Sequence, residues 1–358
     1  NVMDFWLDMG IDGFRADAVP YLIEREGTNC ENLPETHEIL KDFRAYLDAN
    51  YENKILLAEA NQWPEDVRPY FGDGDEFHMG FHFPVMPRIY MALRKKDVSA
   101  IHWIMSKTPE IPDNTQWCTF LRNHDELTLE MVTAEERQWM WEEYAPLPRM
   151  RLNLGIRRRL TPLLDNDHQK ILLANALLYS LPGAPIVYYG DEIGMGDNIW
   201  LPDRNGVRTP MQWNDDLNAG FSDAEPEILY APVIDTGDYT YKKVNVENES
   251  KNPNSLLNKM KQLIDIRKSH PILALGDYAF LAQDQTEFLT ILRTYNAENL
   301  LCVHNLTGEN RSIRLQLSSF SGKRLMGISD DRFFGRITKN PLSLDFEPYG
   351  FHWIKIVE

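Results

Sequence analysis

At 358 residues, 43% of them hydrophobic, the chain can bury a large core, and its length suggests about two domains. Its 54 acids against 37 basic residues, a net charge of −17, argue against nucleic acid, whose binding rests on neutralising phosphate. No stretch of about 18 apolar residues would span a membrane, and the odd, widely spaced Cys30, Cys118 and Cys302 fit a reducing, cytoplasmic setting without disulfides.

Val2, Phe5, Trp6 and Met9 recur at i, i+3, i+4 and i+7, which predicts an amphipathic helix stopped by Gly10. No cap and no initiator Met precede it. The chain is therefore expected to be a fragment that opens inside a helix, any signal peptide having gone with the missing part. Residues 13–17 read as a strand, and a period of two places Arg15 and Asp17 on one face of it. A helix over 39–47 leads to a second strand at 55–59. A third is expected within 77–83, a helix over 85–93, and another strand at 119–123. The alternation is the signature of parallel α/β structure.

A long excursion rich in Trp, Arg and Pro then runs over about 126–166. Its basic residues Arg149, Arg151 and Arg157 to Arg159 are expected to pair with neighbouring acids. Asp167 caps the next helix, whose stripe of Ile171, Leu172, Leu178 and Leu181 ends at Pro182-Gly183. A strand at 185–189 closes the series, giving roughly five βα units where a closed barrel has eight. One more helix starts at Ser255. Beyond about 273 the period changes to two: Ile313, Leu315 and Leu317 alternate with polar residues, and Phe351 and Trp353 flank His352. This tail reads as a small antiparallel β-sandwich domain. The expected domains are thus 1–273, with a lid-like insertion, and 274–358.

Three acids end apolar stretches in the order Asp17, Glu59, Asp125. A strand-end acid alone is more often a cap or a solvated side chain. Arg15, two residues before Asp17, would keep that carboxylate ionised and nucleophilic. Glu59 ends the neighbouring strand, at the separation of about 5 Å that a retaining double displacement uses, with apolar walls and a nearby anion holding up its proton affinity. His124 and Asp125 suit hydrogen bonding to sugar hydroxyls better than metal binding. Gly190, Gly194 and Gly196 lack the third glycine of a dinucleotide fingerprint, since Ile199 stands there. His78 and His82 lack a metalloprotease Glu, and the sequon at Asn305 is short enough to arise by chance.

Residues 13–18, 57–61 and 122–127 resemble three conserved regions of the α-amylase superfamily (glycoside hydrolase family 13). That resemblance implies Asp17 as nucleophile, Glu59 as general acid/base, Asp125 as transition-state stabiliser, and Arg15 and His124 as substrate contacts. It also implies the fold, the C-terminal strands of an incomplete (β/α)8 barrel followed by the β domain. Residues 144–160, 196–198, 203–213 and 348–353 are similar to stretches of the trehalose synthases within that superfamily, the first to their lid. The implied activity is retaining, intramolecular glucosyl transfer between maltose and trehalose, with minor hydrolysis. A hydrolytic α-glucosidase or oligo-1,6-glucosidase is the alternative, and a non-catalytic scaffold a further one. The same resemblance implies a structural calcium held by the carbonyls of Tyr21 and Leu22 and the carboxylate of Glu24. The superfamily's first conserved region and inserted B domain are absent, so little maltose conversion is expected of this chain by itself. A homo-oligomer is left open.

Overall fold

The computed structural model describes residues 2–329 and 332–358; Asn1, with which the chain was expected to open inside a helix, and Asp330 and Asp331 lie outside them. The chain divides into two units, residues 2–85 with 103–119, and residues 86–102 with 120–358.

The first unit opens with the helix Val2–Asp8 and carries four strands: β1 (Gly13–Ala16), β2 (Ile55–Ala58), β3 (Met79–Phe81) and β4 (Gln116–Phe120). They pair in parallel in the order of the chain. A parallel neighbour requires a crossover, and between β1 and β2 that crossover is the helix Pro34–Asn50. Pro34 stands in its first turn, where a missing N–H costs nothing. Leu40, Arg44 and Leu47 form its buried stripe. Leu40 and Leu47 join Leu56, Ala58, Val67, Tyr70, Phe71 and Trp117 in one core.

The second unit contains the expected excursion, which is ordered. Thr133 accepts from the Glu136 amide and Glu136 returns to the Thr133 amide, a capping box that starts the helix Ala134–Tyr144. A short hairpin, β5 (Arg151–Leu152) with β6 (Gly155–Ile156), follows, and Ile156 bridges back to Leu127. Asp167 caps the helix His168–Ser180 by accepting from the amides of Gln169 and Lys170. The strand β7 (Ala184–Ile186) comes next. The expected Ser255 cap is present on the helix Leu256–Ser269, its hydroxyl accepting from the Asn258 amide.

Among the described residues the tail has eight strands: β8 (Asp277–Phe280), β9 (Phe288–Tyr295), β10 (Glu298–Asn305), β11 (Arg311–Leu315), β12 (Arg324–Gly327), β13 (Phe333–Arg336), β14 (Leu342–Phe346) and β15 (Phe351–Val357). Six form one sheet in the order β13-β12-β15-β10-β9-β8, and β11 pairs with β14 in a second. Ile313, Leu315, Leu344 and Phe346 of the small sheet pack with Leu301, Val303, Leu325 and Ile354 of the large one. That is a sandwich core of inward-facing alternate residues.

Several boundaries differ from expectation, two strand ends among them. The strand expected at 119–123 is β4, which starts at Gln116 and stops at Phe120. Beyond its end the Asn123 side chain accepts from the Asp125 amide and so offers the backbone a turn in place of a ladder. β7 stops at Ile186, before the left-handed Gly190. The helix Ser99–Ser106 was not foreseen, although Asp97 stands before it and its carboxylate accepts from the Ser99 amide at 2.7 Å.

Candidate active site

Parallel pairing of β1 with β2 sets Ala16 opposite Ala58, so Asp17 and Glu59 are the next residues in register. The main chain continues the match: the Glu59 amide donates to the Ala16 carbonyl at 3.0 Å, and the Val19 amide to the Glu59 carbonyl at 3.2 Å. Between them Ala18 adopts a left-handed conformation (φ 47°), which costs energy for a residue with a Cβ and clusters at functional turns.

Arg15 stands between the two carboxylates. Its Nη1 lies 3.0 Å from Asp17 Oδ1 and its Nη2 makes a short contact with Glu59 Oε2. Their surroundings differ. The Asp17 side chain is 78% exposed and that of Glu59 17%. Burial, with a hydrogen bond to Asp17 next in weight, raises the Glu59 pKa above its ordinary value against the opposing pull of Arg15. One carboxyl is thus solvated and charge-paired, while the other is disposed to keep its proton at higher pH. The pair is in hydrogen-bonding contact, closer than the about 5 Å between which a sugar carbon is attacked.

The second unit holds the other expected residues. Asp125 Oδ1 lies 2.8 Å from Arg204 Nε and accepts from Arg208 Nη2 at 2.9 Å. Its Oδ2 is 3.3 Å from His124 Nε2. The same Arg208 donates from Nε to the His124 carbonyl at 2.7 Å, and Arg204 reaches Glu126 at 3.1 Å. Arg122, fully buried, donates to the Asp125 carbonyl at 2.6 Å. Arg204, Arg208 and Arg122 were not assigned parts in this site by the sequence. Ion pairs across some eighty residues leave no periodic trace, although 203–213 stood out as a motif.

The basic run does not behave as expected throughout. Of the five, Arg158 and Arg159 face acids among the described residues, Asp197 and Asp191. Arg157 instead donates to the carbonyls of Arg149, Leu201 and Asp203. Arg149 and Arg151 stack over Trp200 and Trp141. A guanidinium's planar fork satisfies carbonyls and ring faces as readily as carboxylates.

Tyr21 and Leu22 lie at the end of a short 3-10 turn, exposed, and Glu24 is exposed just beyond. Calcium takes roughly six to eight oxygens; these residues offer donors of the right kind but only part of that shell. Among the described residues no three or more His, Cys, Asp and Glu converge as metal ligands.

A parallel α/β sheet that carries Arg15 within β1 and presents Asp17 and Glu59 just past the ends of β1 and β2, in a chain that ends in an antiparallel β sandwich, defines a glycosidase-like class. The chain belongs to the α-amylase catalytic-domain family: residues 1–149 and 156–276 match "Alpha amylase, catalytic domain", and 278–353 match "Maltogenic Amylase, C-terminal domain". It is 52% identical over 363 residues to a trehalose synthase/amylase TreS of Mycobacterium tuberculosis, matching 99% of this chain and 60% of that protein's length. An oligo-1,6-glucosidase of Bacillus cereus is 25% identical over 86% of the chain. Among solved structures, an α-amylase from H. orenii superposes with a TM-score of 0.72 at 22% identity, covering all of this chain and 63% of that one.

Proposed function

We propose that the chain carries the glucosyl-transfer machinery of a trehalose synthase, which interconverts maltose and trehalose with retention and some loss to glucose. One observation supports this most: a single guanidinium, Arg15, joins an exposed Asp17 to a largely buried Glu59 whose pKa is raised. The unequal environments support this division of roles. Asp17 attacks the anomeric carbon of the non-reducing glucose while Glu59 donates its proton to the departing oxygen, leaving a glucosyl ester on Asp17. The released glucose then presents its own anomeric hydroxyl; Glu59 takes that proton, the new glycosidic bond forms, and Asp17 departs as carboxylate. Arg15 offsets the charge of both acids, and Asp125 with His124 binds sugar hydroxyls as the ring flattens.

Excluding water decides isomerisation over hydrolysis. Residues 144–160, seated by the arginines described above, are proposed to do this. The 25% relation to an oligo-1,6-glucosidase favours a second reading, hydrolysis by the same carboxylates, though far less than the 52% relation favours the first. A structural calcium with Tyr21, Leu22 and Glu24 in part of its shell stays within the proposal, with no step routed through it. So do a division of the chain at 273/274 and a cytoplasmic location, for which the three free cysteines speak. The test is product analysis by proton NMR of the full-length protein with maltose. Trehalose in excess of glucose is expected; glucose alone would remove the assignment.

A further inference from the structure

Arg122 is 1% exposed. Burying a guanidinium is costly unless its donors are used, and the ones in use here are aimed at two separate stretches of main chain. Nη2 donates to the Asp125 carbonyl at 2.6 Å, and Nε donates to the Arg158 carbonyl at 2.7 Å. Nη1 has no hydrogen-bond partner among the described residues. Arg158 is held from its other side, its Nε 3.0 and 2.9 Å from the two oxygens of Asp197. Asp197 also accepts from the Arg159 amide at 2.7 Å, and the Arg159 guanidinium lies 4.7 Å from the ring centres of both Tyr188 and Tyr189.

We propose that Arg122 is a positioning residue, a two-pronged tie that makes the placement of Asp125 depend on the seating of segment 144–160. The inference rests on the reading of Asp125 and of that segment given above. Because the fork grips the Asp125 carbonyl, it sets the residue's position while leaving its carboxylate for His124, Arg204 and Arg208. A lysine would keep the charge, yet one ammonium on a flexible stem does not reproduce a planar fork spanning two carbonyls.

The test uses Arg122→Lys in the full-length protein, with Asp197→Asn as a second variant that loosens Arg158 without touching the fork. Three quantities are read: kcat and KM on maltose, the glucose-to-trehalose ratio, and hydrogen exchange of the substrate-free protein. A misplaced group costs on the order of 100-fold. Arg122→Lys is therefore expected to lower kcat by about 10- to 100-fold, with KM changed by less than about threefold, and to raise the glucose share. Amides near Asp125 and near Arg158 should exchange faster together, in both variants. A merely structural role would lower the folded fraction without moving the product ratio, which does not depend on how much enzyme is folded. Unchanged ratio and exchange in Arg122→Lys would overturn the proposal; if that variant does not fold, unchanged exchange at Asp125 in Asp197→Asn would do so. Absence of trehalose from the parent protein would instead count against the functional reading, and the exchange measurement would still decide the tie.

Discussion

Two carboxyl groups that share one arginine have been given different chemistry by their access to water. Glu59 has a raised pKa because burial and its neighbour Asp17 both disfavour its charge. A group whose pKa is higher in the folded state supports folding below its unfolded value, and that support is lost as pH rises through the folded value. Glu59→Gln, which stays neutral, should therefore gain in thermal midpoint relative to the parent as pH goes from 4 to 7. A difference that does not change with pH would contradict this. The same variant should lose about 100- to 10,000-fold in kcat, as removal of a general acid does. The acids themselves were legible in the sequence, since each ends a short apolar run. Their arginine partners were legible only in part. Arg15 is a local neighbour of Asp17, whereas Arg204 and Arg208 reach Asp125 from 79 and 83 residues away, a distance that only folding closes.

Two helices announced by a cap were read, whereas the one that the Thr133 and Glu136 capping box starts, Ala134–Tyr144, was not. Asp167 and Ser255 each precede an apolar stripe, and both accept amide hydrogens at their helix starts. Asp167→Ala should reduce stability by about 1 kcal/mol, measured as a shift in the urea midpoint with an unchanged slope; no shift would mean that the cap is redundant. The strand ends read less well, because turn chemistry at Asn123 and Gly190 cuts the apolar runs short. Gly190 sits at φ 85°, and a Cβ there would lie 2.4 Å from Met195 Sδ and 3.0 Å from Arg159 Nη1. Gly190→Ala should thus both strain the backbone and push on a buried arginine. Its expected signature is a lower thermal midpoint with faster exchange around Arg159; wild-type values for both would refute it.

For the molecule as a whole, the change from α/β alternation to a two-residue period marked the β tail correctly, because each sheet there has one face in the core: Ile313 and Leu315 are buried between the exposed Ser312 and Arg314. What composition left open was how an acidic chain uses its basic run. The structure spends most of it on carbonyls and aromatic rings, seating the segment that the proposed transfer needs to keep water out. No helix among the described residues is long and apolar enough to cross a membrane. The account stands on Asp17 as the atom that bonds to carbon. Brief reaction of the full-length protein with a fluorinated α-glucosyl fluoride, then proteolysis and tandem mass spectrometry, tests this most directly. A glucosyl label on the peptide carrying Asp17, absent from Asp17→Asn, is the result expected; a label on another carboxylate, or turnover undiminished in Asp17→Asn, would contradict it.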